Sequence, residues 1–253
     1  MQNLKTRFDE IGMAITLMPG GIPIGRGERS EPSMFAMDIA STTRGGRKVE
    51  GFRICPGDEK VDVHVIDTDK KLRQVVMFVR EPERVFSIRV WSREKQRFVT
   101  QSRTTPGFTR VLLAGMDQSH LFIAELPRGG KPANTVKDAH RVLKPDLVHQ
   151  RARETSRIKR QGEWFFIPVT PEEMAKIDEH RQNVVRKAGI GGRAGSHAHV
   201  AEELLEIDDM TFVRGSIRHP DHRPMELNGW FRVARNAEGR SSWIGSTGVR
   251  WFD

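Results

Sequence analysis

The sequence predicts an α+β protein, with a β-rich N-terminal part followed by a smaller mixed part containing two or three helices. Short runs rich in β-branched and aromatic residues fill the first 126 residues. The chain's 23 glycines and 13 prolines break it into turns more often than a helical bundle tolerates. Near residue 127 the apolar period changes from that of a strand to that of a helix. Two domains are therefore expected, 1–127 and 128–253.

In the N-terminal part, "GMAITLM" (12–18), "VDVHVID" (61–67), "RQVVMFV" (73–79), "FSIRVW" (86–91) and "HLFIAEL" (120–126) read as strands. Successive strand side chains alternate between faces. Val61, Val63 and Val65 therefore point to one side, and His64 points away from them. "PGGIPIGRGERSEPS" (19–33) reads as a long loop. "ELPRGGKPAN" (125–134) marks the boundary. Beyond it, "NTVKDAHRVL" places Val136, Ala139 and Leu143 on one helical face, with Asn134 as the cap. "PDLVHQRARETSRIKR" continues as a basic helix, and "EWFFIPV" (163–169) is a strand. Thr170 and Glu173 form a capping box with Pro171 in the first helical position. The spacing predicts a helix from there to Gly189, with Met174, Ile177, Val184 and Val185 buried. "GIGGRAGS" is a loop, and "MTFVRGSIRH" and "MELNGWFRVARN" are strands joined through "PDHRP".

No window holds eighteen apolar residues and the first residues lack an apolar run, so neither a membrane span nor classical secretion is predicted. The single Cys55 excludes an intrachain disulfide and fits a reducing, cytoplasmic setting. A net charge of +9 points to a polyanionic partner. The charge is concentrated: residues 70–110 hold eleven Lys/Arg against three acids, and residues 134–160 hold eight against three. Since these excesses (+8 and +5) exceed the chain's total, the remainder is net acidic.

The first basic stretch interleaves Arg84, Arg89, Arg93, Lys95 and Arg97 with Phe86, Trp91 and Phe98. On a strand, Arg89 and Trp91 share a side, offering a cation beside a stacking platform. The second carries Arg151, Arg153, Arg157, Lys159 and Arg160 toward Trp164. Nucleic-acid binding through these cations is the favoured expectation, RNA ahead of DNA, with a ribonucleoprotein component among the roles that fit.

The second expectation is a metal-dependent hydrolase or nuclease. Four of the nine histidines fall between His197 and His222, as an H-x-H and an H-x-x-H pair. On a strand His197 and His199 share a face, and Pro220 forces a turn between His219 and His222. Zinc, nickel, iron or manganese accept such imidazoles, with Glu203 as a further ligand. One shared ion requires nitrogens of the two pairs to lie within about 8 Å. His219, Asp221 and His222 are also the candidates for acid–base catalysis.

"GGRAGSHAHVAEE" resembles the opening of the cupin pattern: Gly191, five residues, the H-x-H pair, three residues, then Glu203. The glycine expected next is absent, and no second cupin box follows. "RQGEWFFIPV" and "VRGSIRHPDHRPMELNGWFRVARN" resemble a group of uncharacterised bacterial proteins. That resemblance implies no activity, but it implies that "RQGEWFF" and "HPDH" belong to one unit.

Overall fold

The structure, a computed structural model, describes residues 2–25, 28–44, 47–118, 120–128, 133–191 and 198–237. Helix α1 (Gln2–Asp9) is followed by β1 (Ile15–Leu17), β2 (Pro23–Gly25), β3 (Glu28–Arg29), β4 (Phe35–Arg44) and β5 (Arg47–Pro56). Next come β6 (Asp62–Asp69), β7 (Gln74–Glu81), β8 (Arg84–Ser92), β9 (Arg97–Thr105), β10 (Phe108–Asp117) and β11 (His120–Glu125). Helices α2 (Val136–Leu143) and α3 (Asp146–Arg151) precede β12 (Lys159–Gln161), β13 (Trp164–Pro168) and α4 (Pro171–Glu179). The described chain ends with β14 (Val185–Ile190), β15 (His199–Ile207), β16 (Met210–His219) and β17 (His222–Arg235). It is a β-rich α+β protein, and among the described residues no helix is long and apolar enough to cross a membrane.

Two of the N-terminal sheets build a sandwich. A three-stranded sheet, β1-β5-β4, faces a four-stranded one, β11-β10-β7-β6. Phe35, Met37, Phe52 and Ile54 of the first pack with Val75, Met77, Val79, Leu112 and Ala114 of the second, and Leu4, Phe8 and Ile11 join the same core. Val61, Val63 and Val65 pack onto that core while His64 is exposed, as the alternation predicts. The opposite face of β7 and β10 buries Val76 and Leu113 against Val136, Ala139 and Leu143 of α2. Both faces of β7 are therefore covered, which is why "QVVMFV" reads as a continuous apolar run. Helix α2 lies beyond the expected boundary at 127, yet packs on the N-terminal sheet. Its cap is Thr135, whose hydroxyl accepts the Asp138 N–H at 3.0 Å, one residue later than expected.

The second unit is a six-stranded sheet, β12-β13-β17-β16-β15-β14. One face buries Phe166, Ile190, Ala201, Val213, Ile217, Leu227 and Phe231. The other is covered by α3, through Val148 on Phe165 and Ile167, and by α4, through Ile177 on Leu205, Phe212 and Trp230. The sheet curls strongly: a Cβ on Gly191, just after β14, would stand 2.6 Å from the Trp164 ring on β13.

Three elements depart from expectation. Helix α4 has its capping box but ends at Glu179. Val184 and Val185 leave it, and Val185 opens an edge strand paired with Leu204. The β-branched pair favours the pleated edge; Val184 still packs beside Ile177, but Val185, expected to be buried, is exposed on the edge strand. The basic helix expected after Pro145 stops at Arg151. Within 19–33, β2 and β3 pair as a short hairpin.

Candidate metal centre

His199 opens β15, His219 closes β16 and His222 opens β17, and these three strands are neighbours. His219 pairs directly with His222 across the two-residue turn Pro220–Asp221, and His199 lies one step beyond the Val200↔Arg218 pair. Directly opposed residues of antiparallel strands share a face, so the three imidazoles form a row across one end of the sheet. That face is the one that buries Ala201 and Ile217.

The His199 ring stacks on His219 with centroids 4.4 Å apart and on His222 at 5.4 Å, and His219 and His222 are tilted to each other at 5.0 Å. One nitrogen from each lies within 4.8 Å of the others. His199 and His219 are buried, and Nε2 of His199 and Nδ1 of His222 are enclosed without a hydrogen-bond partner. An orphaned buried nitrogen is costly. Here two of them belong to one ring cluster, which is the arrangement a cation would satisfy. Bonds near 2.1 Å put tetrahedral ligands roughly 3.4 Å apart, so the three nitrogens lie within about 1.4 Å of the spacing one ion needs. Burial, and then the neighbouring His219 and His222, push His199 down to about 3. Burial, and then His219, also lower His222. Neutral imidazole is the ligating form.

The turn between β12 and β13 lies against this row. Gly162 has φ +57°, and a Cβ on it would stand 2.9 Å from His222 Nε2 and 3.6 Å from His199 Nε2. Arg160 Nε donates to the Gly162 carbonyl at 2.8 Å, and the buried Gln161 amide donates to the Arg223 carbonyl at 2.6 Å. The "RQGEWFF" and "HPDH" segments therefore meet in space.

Comparison with family models, with curated proteins and with solved structures finds no match.

A second layer comes from the sandwich. The Asp221 backbone N–H donates to His219 Nδ1 at 3.2 Å, while the Asp221 carboxylate lies 3.7 Å from His120 Nε2. His120 Nδ1 is 3.3 Å from Glu50, whose other oxygen accepts the Leu121 N–H at 2.9 Å. Asp117, at the end of β10, bears electrostatically on His222, and Gln118 accepts the Arg223 N–H at 3.4 Å. Sequence reasoning missed His120, Glu50 and Asp117. They lie far from the histidine pairs in the chain: the β10–β11 connection brings Asp117 and His120 there, and Glu50 on β5 holds His120.

Two expected ligands are not among the gathered three. His197 lies outside the described residues. Glu203 belongs to the other face of the sheet, because a bulge between Ala201 and Glu203 reverses the alternation along β15. There it pairs with Arg214, whose guanidinium is the main cause of its lowered pKa.

The basic residues divide. Arg84 is held by Asp58 at 2.8 Å and by the Ser33 carbonyl at 2.6 Å, and Arg151 by Glu173 at 2.9 Å and Glu154 at 3.2 Å. Their charge is spent inside the fold. Lys159 donates to the Glu226 carbonyl at 2.6 Å, and Arg160 lies over the Phe165 ring at 5.7 Å. Arg153 and Arg157 are exposed, as are Arg89, Trp91, Arg93, Lys95 and Arg97 on the β8–β9 ribbon.

Proposed function

We propose that this protein is a metal-dependent hydrolase built on one divalent transition-metal ion, zinc first among the candidates, held by His199, His219 and His222. The observation that carries this reading is the convergence of three imidazoles from adjacent strands, two of them with enclosed, partnerless nitrogens. Imidazole donors suit zinc, iron, nickel and copper rather than magnesium or calcium. Three protein ligands leave a coordination position open, which distinguishes catalytic zinc sites from four-ligand structural ones. A bound ion would acidify water and polarise a carbonyl or phosphoryl oxygen.

The protein's own groups have definable parts in such chemistry. Burial keeps His199 and His222 neutral and ready to ligate. Gly162 keeps the approach clear of a side chain. Asp221, steadied by His120 and through it by Glu50, sets a carboxylate beside the ligands where it can take up a proton. Elemental analysis of untagged protein dialysed against zinc tests the reading. About one equivalent is expected, lost in His199→Ala/His219→Ala, with zinc-dependent cleavage of a chromogenic ester or phosphodiester. Folded wild-type protein without stoichiometric metal would refute it.

A further inference from the structure

Among the described residues, strands β8 and β9 pair only with each other, as a separate two-stranded sheet. Each has nine residues, so the ribbon spans ~30 Å. Its root is fixed: Arg84 is clamped by Asp58 and the Ser33 carbonyl, and Thr105, paired with Arg84, is buried. Away from the root it carries large apolar groups in the open. Trp91 is 48% exposed and Phe98 56%.

The register sorts its side chains. Val85↔Thr104, Ser87↔Ser102, Arg89↔Thr100 and Trp91↔Phe98 are opposed pairs on one face. Trp91 and Phe98 meet edge to face at 5.2 Å, and the Arg89 guanidinium sits 5.4 Å from the Phe98 ring. The rest of that face is Ser and Thr, with Val85 near the root. Between 85 and 104 the ribbon holds Arg89, Arg93, Lys95, Arg97 and Arg103 against Glu94 alone, a net +4. Among the described residues, Arg93, Lys95 and Arg97 make no ion pair.

A second copy could cover the aromatic pair, but it would bring another +4 against the first. A polyanion with flat, unpaired bases satisfies the cations and the rings together, since base–aromatic stacking needs bases free of a duplex. We propose that residues 84–105 form a docking arm for single-stranded nucleic acid, with phosphates on Arg89, Arg93, Lys95 and Arg97 and bases on Trp91 and Phe98. This does not rest on the metal centre.

The test is fluorescence anisotropy in chelator with labelled 20-nucleotide oligouridylate and oligothymidylate, and with a 20-base-pair duplex. Wild-type protein should bind both single strands more tightly than the duplex. Four engaged cations should give a log–log salt slope of about −3. Arg89→Ala/Arg93→Ala/Lys95→Ala/Arg97→Ala should bring that slope close to zero. Trp91→Ala/Phe98→Ala should weaken single-strand binding roughly tenfold or more while leaving the slope alone. All six side chains are exposed, so both variants should melt with wild type. Absence of single-strand binding at low salt, preference for the duplex, or unchanged affinity in either variant would overturn the proposal. So would sedimentation showing a wild-type dimer that the aromatic variant abolishes.

Discussion

A Cβ placed on Gly162 would stand 2.9 Å from Nε2 of His222, so the β12–β13 turn presses bare backbone against the histidine row. Alanine there meets two penalties. The left-handed φ of +57° costs a side-chain-bearing residue about 1–2 kcal/mol, and the methyl group would push His222 out of the row. Gly162→Ala is expected to lose zinc affinity at least tenfold in a chelator competition. Gly57→Ala is the control. Its φ is +80°, and its Cβ would meet Val61 at 2.5 Å, within the sandwich. It should melt lower yet bind zinc as wild type does. Equal zinc affinity in wild type and Gly162→Ala would detach the turn from the centre.

Metal binding should also be visible at the Asp221 amide. A neutral imidazole has one bare nitrogen. In the structure the His219 Nδ1 lone pair accepts the Asp221 N–H at 3.2 Å. Coordination through Nδ1 would use that lone pair, and coordination through Nε2 would place the proton on Nδ1. In either case the acceptor is lost. Nuclear magnetic resonance should show the Asp221 amide shifting and exchanging faster on zinc addition, and the same titration in His219→Ala should leave it unmoved. An Asp221 amide that ignores stoichiometric zinc would exclude His219 from the ligand set.

How much of this was legible depended on distance along the chain. Alternation is local, so the side shared by Arg89 and Trp91 and the outward His64 could be read directly. The capping box of Thr170 and Glu173 is equally local. Register is not. The two histidine pairs were expected to share one ion, but only the strand register shows that His199 stands beside His219, twenty residues on. No sequence pattern announced the bulge between Ala201 and Glu203, and that bulge moves Glu203 to the other face. His120 and Glu50 carried no signal at all, since their position depends on how the sandwich meets the curled sheet. Nothing local in "RQGEWFF" marked Gly162 as the neighbour of two imidazoles.

Acid should destabilise the metal-free protein before its carboxylates titrate. Burial lowers His199 to about 3 and also depresses His222 and His140, the last with help from Arg160. In the unfolded chain each would take up a proton near pH 6.5. Protons therefore favour the unfolded state, and the stability is present above that pH and lost as pH falls toward the folded values. His199 alone should cost about 2 kcal/mol between pH 7 and pH 5. Urea titrations in chelator should show this loss, and His199→Gln should show a shallower one. A flat profile between pH 7 and 5 would mean that the row is not buried in solution.

The last prediction separates a structural arginine from a binding one. Arg151 lies in a basic stretch, but its Nη2 meets Glu173 Oε2 at 2.9 Å and its Nη1 meets Glu154 at 3.2 Å. Glu173 also caps α4, accepting the Thr170 N–H at 2.9 Å, and it receives Arg232 at 3.0 Å on its other oxygen. This nearly buried carboxylate ties α3, α4 and β17 together, so removing one cation leaves it partly unpaired. Arg151→Ala should cost about 1–3 kcal/mol. Glu173→Ala should cost more, because the cap and both of its ion pairs go together and Arg151 keeps only Glu154. Neither change should alter the salt slope for oligonucleotides, while the quadruple variant of the exposed ribbon cations should flatten it without lowering the melting temperature. An Arg151→Ala protein that melts normally but binds nucleic acid poorly would return that arginine to the interface.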